Sequence, residues 1–135
     1  MRTNIVELTE RTIKDVARTQ KDIYGFSHSE SGIIFNNCRF DSFEKNLLNI
    51  FNFGSPSVAP KDAGNDVRNY VSQRDEVALG VGRFGYLDAR ITNASHVQFL
   101  EPTSNNIIEH AFRDAYSVPV EDVCRDIRKK HGIEE

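Results

Sequence analysis

Hydrophobic and polar positions alternate between two periods along the chain. Ile5, Leu8, Val16 and Ala17 fall roughly on one helical face, with charges filling the others. Asn4 and Glu7 in front resemble a capping box, so the pattern predicts a helix over 5–20. Residues 22–27 are short and β-capable, and 31–38 read as a buried helix with a strand as the alternative. The run Leu47 to Phe53, closed by Gly54-Ser55-Pro56, predicts a buried parallel strand, and 55–65 a loop. Val67 to Ser72 alternates as a strand does. Residues 74–95, rich in Gly, Asp and Asn, predict a long irregular excursion. Val97 to Leu100 is a short strand, stopped by Glu101-Pro102. Val120, Val123, Cys124 and Ile127 mark a last helix, with Pro119 near its start and Gly132 past its end.

The order helix, strand, helix, strand, strand, strand, helix predicts an α/β class: a small, mostly parallel sheet with flanking helices. At 135 residues the chain is one domain, 1–135. Seventeen Lys and Arg against 20 Asp and Glu give a net charge of −3, which argues against a nucleic-acid partner held by bulk charge. No apolar stretch is long enough for a membrane span, and the first residues lack a signal-peptide core. The two cysteines, Cys38 and Cys124, make no disulfide framework, so a reducing, cytoplasmic compartment is expected. The histidines and cysteines lack metal-ligand spacing, and no glycine-rich phosphate loop is present, so neither metal nor cofactor is expected.

The chemistry concentrates in Ser27-His28-Ser29-Glu30-Ser31-Gly32, between a predicted strand and a predicted helix. A nucleophile elbow needs small residues two positions either side of a serine on a sharp turn, because strand and helix approach closely there. Ser29 meets that rule. Gly25 to Ser29 offers a second register centred on Ser27, and a plain serine cap is the structural alternative.

This segment resembles the nucleophile elbow of the α/β-hydrolase superfamily, especially its lipase-like members. Asn52-Phe53-Gly54-Ser55-Pro56 is similar to the strand end after the elbow helix. Asp75-Glu76-Val77 after the strand over 67–72 is similar to the position of the triad acid, and Glu109-His110-Ala111-Phe112 followed by Tyr116 to the surroundings of the triad histidine. The resemblance implies a truncated α/β-hydrolase fold and hydrolysis of an ester or lipid acyl group. It assigns Ser29 as nucleophile, His110 as base, Asp75 as its orienting acid and the Glu30 backbone N–H as oxyanion donor. His96 competes with His110. Asp75 could instead be a surface residue capping a turn, and His28 is expected to point away from the site. A full domain of that family has more strands ahead of the elbow, and these supply a second oxyanion donor worth about 2.7–4 kcal/mol. The expected partners are therefore a small ester or lipid substrate and a homo-oligomer or partner subunit completing the sheet. The alternatives are a non-catalytic remnant acting as an interaction module and an unrelated flavodoxin-like domain.

Overall fold

The computed structural model describes residues 4–58, 66–102 and 115–133. Ten elements follow one another: α1 (Asn4–Ala17), β1 (Ile23–His28), α2 (Ser31–Asn37), α3 (Ser42–Leu47), β2 (Leu48–Phe53), β3 (Asp66–Ser72), α4 (Glu76–Val81), α5 (Arg83–Ile91), β4 (Val97–Leu100) and α6 (Ser117–Lys130). The four strands form one sheet in the order β1-β2-β3-β4. Every pairing is parallel, as the apolar runs predict, so all four C-terminal ends lie along one edge.

The two-residue period sorts side chains to opposite faces. On one face Leu48, Ile50 and Val67 pack with Ile13 and Phe40, and Ile23 and Phe35 join them. Val71 and Val97 continue this face under Ala78, Tyr86 and Ala89 of α4 and α5. On the other face Phe51, Phe53 and Tyr70 pack with Tyr116 and with Val123 of α6. Phe53 is fully buried, a side chain whose burial stabilises the fold by about 1.5–3 kcal/mol. Phe26 stacks on Phe51 at 5.3 Å between centroids but stays 40% exposed, because β1 is an edge strand among the described residues.

One segment differs from its sequence pattern. Residues 74–95 are not an irregular excursion but hold α4 and α5. Gly82 joins the two helices and, like Gly85, sits where the chain packs closely, whereas Gly80 faces open space. A Cβ on Gly82 would stand 2.8 Å from the Pro56 carbonyl oxygen, and one on Gly85 3.2 Å from Val58. The helix α3 also has no counterpart in the predicted order. It starts at a capping box in which Asp41 accepts from the Glu44 N–H and Glu44 from the Asp41 N–H.

No helix among the described residues is long and apolar enough to cross a membrane.

Candidate functional site

The turn between β1 and α2 lies at the C-terminal edge and holds a non-glycine residue at positive φ. Ser29 has φ 58°, in the left-handed region that costs an L-residue with a Cβ on the order of 1–2 kcal/mol. Its N–H donates to the Phe53 carbonyl at 3.1 Å, which extends the β1–β2 ladder by one bond before the chain turns away. The Ser29 carbonyl accepts from Gly32 N–H, and Ser31 Oγ both accepts from His28 N–H at 2.9 Å and donates to the His28 carbonyl at 2.8 Å. The serine two positions after Ser29 thus closes the turn with its own side chain.

Close packing explains the small residues around it. Gly32 is buried, and a Cβ there would stand 2.5 Å from Ser55 Oγ and 3.3 Å from Ser27 Oγ. Ser27 is buried inside β1 and donates from Oγ to Asn52 Oδ1. Asn52 Nδ2 in turn donates to Asn69 Oδ1 at 3.4 Å, so Ser27, Asn52 and Asn69 form a polar rung across three strands in direct register. Asn69 Nδ2 has no hydrogen-bond partner among the described residues. Of the two candidate serines, Ser29 has the turn geometry and Ser27 is part of the core.

Asp75 follows β3 by three residues and is fully buried. It is not a surface residue, although it does cap a helix. Its Oδ1 accepts from Ala78 N–H at the start of α4, and its Oδ2 accepts from the Tyr116 hydroxyl at 2.5 Å. The Tyr116 oxygen also accepts from Ser72 N–H at 3.1 Å. Burial and then the bond to Asp75 push the Tyr116 phenol well above its usual range, so it stays a donor. Tyr86, which donates to the Ser55 carbonyl at 2.6 Å, is raised by burial and then by the Asp75 charge.

Gly54 sits between the Ser29 turn and Asp75. Its φ is +63°, and a Cβ on it would come within 2.9 Å of both Asp75 Oδ2 and the Tyr116 ring. It directly follows Phe53, whose carbonyl accepts from Ser29. The turns after β1, β2 and β3 are therefore adjacent. Tyr116 and Gly54, which carry no assigned role in the sequence reading, support the acid.

The histidines separate by position. His110 lies outside the described residues. His96 precedes β4, and its carbonyl accepts from Asn69 N–H, so it stands at the entry of a strand rather than at the edge carrying Ser29 and Asp75. His131 caps α6, and its Nε2 lies 2.7 Å from the Tyr24 hydroxyl. His28 ends β1 with its ring 5.7 Å from that of Tyr116, on the face opposite Ser27. It thus neighbours the phenol that holds Asp75.

The Glu30 backbone lies at the mouth of α2 with φ −61° and ψ −27°, and none of the hydrogen bonds among the described residues engages its N–H. Ser29 and Glu30 also line an open groove of about 510 Å³, walled by Ile5 and Val6 of α1, Ile33 and Ile34 of α2, and Val77 and Val81 of α4. No three His, Cys, Asp or Glu side chains among the described residues gather as a metal-binding group. No family model, curated protein or solved structure matches the chain.

Proposed function

We propose that the chain is a serine hydrolase-like protein that acts on an ester or lipid acyl group through Ser29, Asp75 and His110. The observation that carries this reading is the positive φ of Ser29 on a strand-to-helix turn, at the sheet edge where Asp75 is also anchored. A non-glycine residue in that conformation is retained where surrounding contacts over-determine it, and such strain clusters at functional sites.

In the proposed reaction His110 takes the proton from Ser29 Oγ as that oxygen bonds to the acyl carbon. Asp75 fixes the imidazole tautomer and stabilises the imidazolium. A carboxylate has about four lone-pair positions, and the donors from Ala78 and Tyr116 hold Asp75 in place at the sheet edge. The Glu30 N–H donates to the oxyanion. His110 then returns the proton to the departing alcohol, and water releases the acid from Ser29 by the same route. The test is hydrolysis of p-nitrophenyl acetate by the wild type against Ser29→Ala and His110→Ala. Each substitution should lower kcat by at least about 10³-fold, and equal rates in all three would end the reading.

A second reading rests on the edge position of β1 and the exposure of Phe26, which suit a non-catalytic hydrolase remnant that adds a strand or subunit there. It expects self-association or partner binding that Phe26→Asp weakens and Ser29→Ala leaves alone, read by sedimentation. A monomer at high concentration that binds nothing through this edge would count against it.

A further inference from the structure

We propose that the groove beside Ser29 is the acyl subsite, and that it takes straight, uncharged aliphatic acyl chains longer than acetyl. The assignment rests on Ser29 being the nucleophile, as proposed above.

The groove's lining selects the ligand chemistry. Ser29 and Glu30 share it with Ile33, Ile34, Val77 and Val81, and with Pro56. At about 510 Å³ it falls within the roughly 300–1,000 Å³ of ordinary small-molecule sites and far exceeds an acetyl group. Val81 is 71% exposed, and Ile5, Ile33 and Val77 are also exposed, so four large apolar side chains meet water around one concavity. Surface apolar residues scattered singly need no explanation, but a contiguous patch around a cleft marks a binding surface.

The occupant follows from what the walls offer and withhold. Among the described residues the lining has no aromatic side chain to stack on a flat ring, whereas Ile5, Ile33, Ile34, Val77 and Val81 offer a polymethylene chain aliphatic contact, with Asn37 as a polar neighbour. Among the described lining residues none is cationic and Glu30 is the ionisable one; its carboxylate opposes an acyl chain ending in a second carboxylate. A chain bonded to Ser29 Oγ through its acyl carbon has this concavity as its adjacent apolar surface.

The experiment compares p-nitrophenyl acetate, butyrate and octanoate with the ω-carboxylated half-ester of suberic acid, using the full chain. We expect kcat/KM to rise about threefold to fourfold per added methylene, and the half-ester to fall at least about tenfold below octanoate. Ile33→Trp, which fills the groove, should flatten the chain-length dependence, with octanoate losing more of its kcat/KM than acetate. In parallel, the Ser29→Ala protein is titrated with methyl octanoate and followed by methyl NMR, with shifts expected at Ile33, Val77 and Val81, those at Val77 and Val81 being abolished by Ile33→Trp.

Flat kcat/KM across the series, with turnover still dependent on Ser29, overturns the subsite and leaves the nucleophile standing. Absence of Ser29-dependent turnover with any ester overturns the hydrolase reading and the subsite with it, whether or not methyl octanoate shifts the groove methyls. A chain-length preference that survives Ile33→Trp unchanged also overturns the subsite, because the preference then arises elsewhere.

Discussion

The Tyr116 hydroxyl donates to Asp75 Oδ2 at 2.5 Å, joining residues 41 positions apart at the C-terminal edge of the sheet. Both side chains are fully buried, and the same phenol oxygen accepts from the Ser72 N–H. The acid is thus held from one side by the phenol and from the other by the first turn of α4.

Tyr116→Phe should destabilise the fold by about 1.5–3 kcal/mol, since it removes a donor from a buried carboxylate and an acceptor from Ser72. Asp75→Asn should cost about 2 kcal/mol, because one amide oxygen replaces two acceptors while the donors from Ala78 and Tyr116 both remain. Urea denaturation of the two variants measures both losses. A change below about 0.5 kcal/mol in either would mean that the buried arrangement is not populated.

Ser29→Gly and Ser29→Ala should both be inactive but should differ in stability. Glycine adopts φ 58° without a Cβ penalty, whereas alanine keeps that penalty. Even with glycine's larger unfolded-state entropy, the Gly variant is expected to be the more stable by about 1 kcal/mol, or about 3–4 °C in Tm. Calorimetry of the pair checks the backbone claim independently of chemistry, and an Ala variant as stable as the Gly variant would contradict it.

Alkaline stability follows from three phenols. Burial raises Tyr116, Tyr86 and Tyr70 above the usual 10.0. Below pH 10 these groups are protonated in both the folded and unfolded states and add no pH dependence. Above pH 10 the unfolded chain releases protons that the folded chain keeps, so stability falls as pH rises. The slope approaches about 1.4 kcal/mol per pH unit for each of Tyr116 and Tyr86, whose shifts are large. Urea unfolding at pH 9 and pH 11 should show this loss, and Tyr86→Phe should reduce it. Tyrosines that ionise near pH 10 with the fold intact, seen by ultraviolet absorbance, would contradict the burial.

The strand β2 was legible because it is buried on both faces and reads as an apolar run from Leu48 to Phe53, and β3 because its positions alternate. The turn at Ser29 was legible because small residues flank it, and a Cβ on Gly32 would stand 2.5 Å from Ser55 Oγ. The helices α4 and α5 were hidden by three glycines in six residues that read as turn signals; Gly82 does join the two helices, and Gly82 and Gly85 make room for Pro56 and Val58. A clue to α3 existed in Asp41 and Glu44, a capping pair in front of a six-residue helix too short to show periodicity. The rung of Ser27, Asn52 and Asn69 depends on register between strands, which no local pattern encodes. The same holds for Tyr116, whose bond to Asp75 spans two elements of the fold.

The most direct measurement of the central claim is covalent labelling of the full chain by a fluorophosphonate, followed by intact-mass analysis and peptide mapping. One adduct per chain is expected, mapped to Ser29, absent from Ser29→Ala and retained by Ser27→Ala if that variant folds. Failure to label Ser29 in any assembly state, or an adduct that persists in Ser29→Ala, would contradict the assignment of Ser29 as the nucleophile.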